Sequence, residues 1–255
     1  MKKYKRFLLL LIFPLISLSY INTLGAEIKS FDGSGSLKVI PNDKPEVVDP
    51  EDPDIIVDPI TPIPVVRQDF RIDYISPLDF GKVKLVSTNR VYSSLATQIG
   101  NHYRGNFIQI SDFREKQSGW TLQVKQEYQF RTNENEELLG AVLSLDKGWA
   151  NSIIETNEPT VTRDTLAITE FGQLYNVAKA SQKTGRGTWS IVFGASKENE
   201  DNQDVTIESE NSLDNKVSQK NIMKNSAIKI SIPDTTKVLP KEYQTKISWV
   251  LSEVP

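Results

Sequence analysis

The sequence lacks cysteine altogether and has a single histidine, His102, among its 255 residues. Without cysteine there can be no disulfide framework, no cysteine-ligated zinc or iron–sulfur centre, no thiol nucleophile and no lipid-modified N-terminal cysteine. One histidine excludes a two-histidine metal site, and a Ser/His/Asp triad would have to use that one residue. The composition therefore predicts a protein with no cofactor and no metal site.

Clusters of basic residues are also missing beyond the N-terminus. The chain has 30 Lys and Arg against 33 Asp and Glu, a net charge of −3, and the basic residues after Ala26 are scattered. A protein that binds the phosphate backbone needs clustered Lys and Arg. We therefore expect no nucleic acid among its partners.

The N-terminus has the pattern of a secretory signal. Residues 2–6 carry four positive charges, and residues 7–18 are apolar apart from Ser17. This apolar run is shorter than the ~20 residues that span a bilayer, and small residues follow it up to Ala26. We expect residues 1–26 to be a signal peptide cleaved after Ala26, with an uncleaved anchor as the alternative, so the protein should be secreted.

Residues 41–64 have the composition of a linker. They hold seven of the 13 prolines and seven acidic residues beside a single lysine. Proline and like-charge repulsion both favour a stiff, extended segment. We expect this segment to be dispensable for any binding function of the domain that follows it. The preceding residues 27–40 contain a Gly/Ser hinge and a short apolar alternation, which allows either a lone strand or disorder.

From residue 65 to residue 255 the apolar residues alternate with polar ones, which is typical of half-buried strands. The pattern predicts a single all-β domain, a β-sandwich or Greek-key barrel, in which residues 201–225 form a long polar surface loop. Eight segments carry the alternation, at Phe70–Tyr74, Val83–Leu85, Ile108–Ile110, Trp120–Val124, Ala141–Leu145, Trp189–Phe193, Ile228–Ile232 and Tyr243–Leu251.

No segment points to catalysis. His102 lies between two glycines and is read as a surface-loop residue, with a proton shuttle as the other reading. Residues 198–204 are rich in oxygen ligands but lack the spacing and the central glycine of a calcium loop. A pair of carboxylates for glycoside hydrolysis is set by distance in space, and no such pair is singled out here. We predict that the protein is not an enzyme and has no catalytic residues.

Tryptophan supplies the most informative motifs. Trp120 and Leu122 lie within Ser-Gly-Trp-Thr-Leu-Gln-Val, residues 118–124, while Trp249 and Leu251 lie within a terminal segment that begins at Lys241 and includes Tyr243 and Pro255. With these two motifs the chain resembles WxL-domain surface proteins of low-GC Gram-positive bacteria. The resemblance extends to Leu78–Gly81, Asp112–Arg114, Gly187–Trp189, Phe193–Gly194 and Ser231–Pro233, whereas residues 201–225 depart from the family pattern by being longer and more polar.

The resemblance implies a cell-surface protein that attaches non-covalently to the cell wall by binding peptidoglycan. It also implies multi-protein surface complexes that include membrane-anchored WxL-interacting partners and other surface proteins. The sequence has no Leu-Pro-x-Thr-Gly motif and no cysteine for a lipid anchor, so we expect attachment through surface contacts. The alternative is a secreted recognition module that binds a partner protein or a plant or host polysaccharide.

We expect the motif residues to be structural core rather than ligand contacts. In a strand, residues i and i+2 share a face, so each tryptophan points the same way as its leucine. A stripe of this kind on the solvent side would favour aggregation. We therefore predict that Trp120 and Trp249 are buried and that loops and polar strand faces make the binding surface.

Overall fold

The computed structural model describes residues 46–58, 68–154, 156–211 and 221–254. Every regular element in these ranges is a β-strand, so the all-β fold predicted from the sequence is confirmed. None of these residues forms a helix that could cross a membrane. The strands, in chain order, are β1 (Val47–Val48), β2 (Ile56–Val57), β3 (Phe70–Ile75), β4 (Val91–Leu95), β5 (Thr97–Ile99), β6 (His102–Arg104), β7 (Asn106–Asp112), β8 (Trp120–Gln126), β9 (Val142–Leu145), β10 (Gly148–Asn151), β11 (Thr160–Val161), β12 (Leu166–Ile168), β13 (Tyr175–Ala180), β14 (Gly187–Phe193), β15 (Ile207–Asn211), β16 (Asn221–Ser231) and β17 (Ile247–Glu253).

Three larger antiparallel sheets make the sandwich. The β7 sheet has the order β10-β14-β7-β3, and the motif sheet, which carries both tryptophan motifs, has the order β11-β13-β8-β17. The β16 sheet has the order β12-β9-β16-β15, with β4 also paired to β16. The remaining strands of the described residues form two small hairpins, β1-β2 and β5-β6.

The main core lies between the apolar faces of these three sheets. Strand alternation puts every second residue inside, as in β8, where Trp120, Leu122 and Val124 are buried and the residues between them are not. The β7 sheet contributes Ile110 and Ile191 among others, and the β16 sheet contributes Leu143, Leu145, Ile228 and Ile230. The period-two pattern in the sequence comes from this one-sided burial.

A second, smaller core covers the opposite face of the β7 sheet. It consists of Val47, Tyr74, Ile99, Phe107, Trp149, Val192 and Ala195. The two small hairpins supply Val47 and Ile99 to it, and all seven residues of β7 are buried as a result. The β7 sheet is therefore a middle layer, packed on both faces.

Part of the segment assigned to the linker belongs to this second core. Residues 46–58 form the β1-β2 hairpin, in which Val47 is only 1% exposed, so the expectation of an extended, unpacked segment is wrong for these residues. Two pairs of β-branched residues flank a turn rich in Asp and Pro, and the burial of Val47, with the half-buried Val48 and Val57, outweighs the charge of the turn. Residues 27–40, 41–45 and 59–64 lie outside the described residues, as does the predicted signal peptide.

Two other local expectations also differ from the structure. Residues 83–85 form no strand, and Val83 and Leu85 are 43% and 54% exposed, because no neighbouring strand pairs with them. The predicted surface loop at 201–225 contains β15 and the start of β16. Its strands are polar because β15 is an edge strand whose side chains from Glu208 to Asn211 are exposed.

Candidate functional site

The two tryptophan motifs lie side by side on adjacent strands. Strands β8 and β17 pair antiparallel along their full lengths, with Leu122 opposite Leu251 and Val124 opposite Trp249. Residues directly opposite each other in an antiparallel pair share a face of the sheet. The Trp and Leu side chains of both motifs therefore point towards the main core.

Trp120 is enclosed completely. Its side chain has no exposed surface, and its indole Nε1 donates a hydrogen bond of 2.9 Å to the carbonyl oxygen of Gly185. Gly185 has a φ of +68°, and a Cβ added there would lie 2.7 Å from the same indole nitrogen. Position 185 thus requires glycine for its backbone conformation as well as for the space beside Trp120.

Trp249 and Leu251 are only half-buried. The Trp249 ring lies against Phe193, with the ring centroids 6.3 Å apart and the planes inclined by 39°. The difference from the first motif follows from strand order, since β8 lies between two strands whereas β17 pairs with β8 alone in the described sheet. The second motif therefore keeps one flank open to solvent.

Tyr243 lies before β17 and fixes the approach to that strand. It is half-buried against the main core, and its hydroxyl oxygen accepts a 2.9 Å hydrogen bond from the Leu239 backbone N–H. The next residue, Gln244, exchanges two backbone hydrogen bonds of 2.8 and 2.9 Å with Arg131. Pro255, the last residue assigned to the motif, lies outside the described residues.

A polar cluster holds the far end of β17 to the rest of the fold. The Arg114 guanidinium pairs with Asp112 at 2.7 Å and with Glu253 at 3.2 Å, and it stacks 3.8 Å above the Phe70 ring. The hydrogen bonds that Arg114 donates to Asp112 raise the pKa of Arg114, and the hydrogen bond that Glu253 accepts from the Ser118 hydroxyl lowers the pKa of Glu253. This cluster ties the two motifs to the β7 sheet.

The outward face of the motif sheet carries the residues between the motif positions. Strand register arranges them in rows across the sheet, because Thr121 lies opposite both Lys179 and Ser252, and Gln123 opposite both Asn176 and Val250. All of them are at least partly exposed to solvent. We call this surface the outer face; its members are Thr121, Gln123, Lys125, Thr160, Asn176, Lys179, Ser248, Val250 and Ser252.

The outer face is rich in hydroxyl and amide groups and poor in carboxylates. Gln123 Nε2 donates a 2.8 Å hydrogen bond to Asn176 Oδ1, which fixes two amides relative to each other. The carboxylate beside it, Glu127, lies 3.2 Å from Lys125 Nζ and accepts a 2.5 Å hydrogen bond from Ser248. These contacts, that of Ser248 first, lower the pKa of Glu127. The face can thus offer many neutral hydrogen-bonding groups and a slight excess of positive charge.

A second polar cluster, which sequence reasoning did not foresee, holds the β1-β2 hairpin in place. Arg104 is buried and pairs with Asp49 at 2.9 Å and with Glu51 at 3.4 Å. Glu51 also accepts hydrogen bonds from the backbone N–H and the hydroxyl of Ser196. The only signal for this hairpin in the sequence was the pair of β-branched segments on either side of an acidic, proline-containing turn.

The charges in the Arg104 cluster shift one another. Burial lowers the pKa of Arg104, but the hydrogen bonds to Asp49 and Glu198 outweigh it and raise the pKa above its usual range. Burial raises the pKa of Glu51, and its contacts with Ser196 and Arg104 offset only part of that effect. The cluster is therefore an electrostatic clamp on the hairpin.

His102 lies at the edge of this cluster, on β6 rather than in the predicted loop. Its Nδ1 is 2.8 Å from a Glu198 carboxylate oxygen, and both side chains are more than half exposed. Glu198 belongs to the acidic segment 198–204. Within the described ranges, no three His, Asp or Glu side chains are grouped so that they could hold a metal ion.

One of three comparisons with known proteins identifies a family for the chain. A family model described as "WxL domain surface cell wall-binding" matches residues 26–255. No curated protein and no solved structure matches the chain. The matched region includes all of the described strands and both tryptophan motifs.

Proposed function

Because the chain belongs to the family of WxL-domain surface proteins that bind the cell wall, we propose that it attaches non-covalently to peptidoglycan. The observation that carries this proposal is the family match over residues 26–255, within which both motifs lie on adjacent strands of one sheet. The proposal also includes export by residues 1–26 and a final location outside the cell, at its wall.

We assign the motif residues a structural role in this function. The complete burial of Trp120 and Leu122, and the packing of Trp249, Leu251 and Tyr243 against the main core, support that assignment. Their side chains would then shape the motif sheet, and other residues would contact the wall. Binding to the cell wall is the activity that the family description supports, and the proposal includes no catalytic step and no cofactor.

The protein is proposed to act within a multi-protein surface complex. The resemblance of the two motifs to those of WxL proteins is what supports partners such as a membrane-anchored WxL-interacting protein.

Sedimentation with purified cell walls tests the proposal directly. The purified protein should pellet with peptidoglycan in a saturable manner, stay bound through washes in low salt and come off in a chaotrope. Cellulose of similar particle size, mixed with the same protein, is the control and should leave the protein in solution.

The result that would contradict peptidoglycan binding is equally clear. Protein that remains in the supernatant with peptidoglycan, but pellets with a plant or host polysaccharide, would identify a secreted recognition module instead. Hydrolysis of soluble glycans during the incubation would show that the protein is an enzyme.

A further inference from the structure

We propose that the outer face of the motif sheet, defined above from Thr121 to Ser252, is the surface that contacts the peptidoglycan strand. This inference rests on the proposed function, since it names the side of the domain that meets the wall. The ligand is a glycan strand that carries hydroxyl groups, N-acetyl amides and the carboxylates of its stem peptides.

The first reason is how the motifs divide the sheet. The Trp and Leu side chains take the inward positions of β8 and β17, so the intervening residues must point outward. Any change in the register of these two strands would move the outward residues as well. The motifs therefore fix the positions of Thr121, Gln123, Val250 and Ser252 without touching a ligand.

The second reason is the geometry of the rows. One row crosses four strands, from Thr160 through Lys179 and Thr121 to Ser252. Neighbouring strands lie ~4.8 Å apart, so this row is ~14 Å long. The ~4.8 Å distance between neighbouring strands is close to the length of one sugar residue in an extended glycan. Successive sugars could therefore each lie over one strand.

The third reason is the chemistry of the exposed groups. The bond between Gln123 and Asn176 leaves one amide oxygen and one amide nitrogen without a hydrogen bond to any described residue. Such groups suit the hydroxyls and N-acetyl amides of a glycan. Val250, in the same row, offers an apolar contact to the C–H face of a sugar ring.

The fourth reason is charge. The chain as a whole carries a net charge of −3, yet the residues of the outer face include two lysines and no carboxylate, and the Glu127 carboxylate at its edge contacts Lys125 and Ser248. Lys125 is paired with Glu127 beside the face, whereas Lys179 is exposed and has no ion pair with a described residue. Complementary charge increases the rate of encounter and suppresses wrong partners. Lys179 is thus suited to bind a stem-peptide carboxylate.

The test compares two double variants of the protein. Gln123→Glu with Lys179→Glu reverses the charge of the outer face. The control, Ser144→Glu with Lys229→Glu, makes similar changes on the outward side of the β16 sheet, where these two residues are opposite each other. Both variants alter solvent-facing strand positions, so thermal melts should stay close to that of the wild type.

Sedimentation is measured on walls stripped of covalently attached anionic polymers. We expect the outer-face variant to bind at least tenfold more weakly than the wild type, and the control variant to bind within twofold of it. Equal binding by both variants would overturn the inference and leave the proposed function intact. Failure of the wild type to bind any wall preparation would overturn the proposed function itself. Binding only to unstripped walls would identify an anionic polymer as the ligand and would also overturn the inference.

A measurement on the unmodified protein guards against a variant that fails to fold. Lysine acetylation is followed at Lys179 and at Lys229 with and without soluble peptidoglycan fragments. We expect the fragments to slow acetylation of Lys179 at least threefold and to leave Lys229 unaffected. No protection of Lys179 at fragment concentrations that compete with walls would overturn the inference.

Discussion

At the scale of single residues, the two tryptophans of the paired motifs are not equivalent. Trp120 is fully enclosed and hydrogen-bonded to Gly185, whereas Trp249 lies on an edge strand and is half-buried. In the sequence the two tryptophans cannot be told apart by their motif, since each precedes a leucine by two positions. Only the order of strands in the sheet separates their roles.

Substituting each tryptophan by alanine should reveal this difference. We expect Trp120→Ala to lower the free energy of unfolding by ~3–5 kcal/mol, because it removes a buried indole and leaves a cavity. Trp249→Ala should cost roughly 1–3 kcal/mol, since less of its surface is buried. Urea unfolding of the two variants measures both values. Equal costs, or a larger cost at Trp249, would contradict the enclosure of Trp120.

The stability that Arg104 provides should depend on pH, because its buried partner Glu51 can be protonated. Arg104→Gln removes the guanidinium and leaves Asp49 and Glu51 buried, a change that costs about 3–5 kcal/mol. Burial already raises the pKa of Glu51, which means that its ionised form destabilises the folded state at neutral pH. This destabilisation decreases as the pH falls and the carboxylate becomes protonated. We expect the deficit of the variant to shrink as the pH falls from about 7.5 to about 5.

Other charges near Arg104 must be controlled in that experiment. Contacts with Arg104 and His102 lower the pKa of Glu198. In the wild type, its contribution to the free energy of unfolding is therefore lost only when the pH falls below the usual carboxylate range. The His102 Nδ1 atom lies 2.8 Å from that Glu198 carboxylate. Urea unfolding is therefore run with His102→Asn in both proteins. A deficit that stays constant across the pH range would contradict the role given to Glu51.

At the scale of elements, the β1-β2 hairpin belongs to the fold although its composition is that of a linker. Val47→Asp should lower the free energy of unfolding by several kcal/mol, because it buries an unpaired charge in the second core. Ile56→Asp, on the same hairpin but 61% exposed, should change it by only about 0.5 kcal/mol. Urea unfolding of both variants provides the comparison. If Val47→Asp were as mild as Ile56→Asp, the hairpin would not be docked in solution.

Strand β17 is the other element on which the fold depends. Ending the chain after Ser248 removes Trp249 and Leu251 and uncovers the motif sheet along β8. We expect this truncated protein to lose its cooperative thermal transition. Ending the chain after Glu253 keeps all of β17 and should leave the transition nearly unchanged. A normal melt for the shorter protein would show that β17 is dispensable.

At the scale of the whole molecule, the sequence predicts the class of fold better than its layers. Alternation at Trp120–Val124 and Ile228–Ile232 marks strands with one face in the core, and those strands are present. It cannot reveal that Phe107 and Trp149 form a second core, because that core depends on which hairpins fold back over the β7 sheet. Local pattern records burial along a strand, whereas layering depends on contacts distant in sequence.

The same limit applies to the candidate site. The motifs were visible as Trp-x-Leu, and their alternation predicts which side chains turn inward. The pairing of Leu122 with Leu251 was not readable, because the two lie on strands distant in the chain. Alternation alone turns Thr121 and Val250 outward, but the rows of the outer face follow from the pairing and could not be proposed before the register was known.

The middle position of the β7 sheet has a consequence for how its backbone exchanges hydrogen with solvent. Strand β7 is flanked by β14 and β3 and covered on both faces, so its amides are reached by water only when the protein unfolds globally. In deuterated buffer, peptides covering residues 106–112 should be the last to gain mass. Edge strands such as β15 and β17 should gain it early, which would make the edges the first part of the sandwich to open.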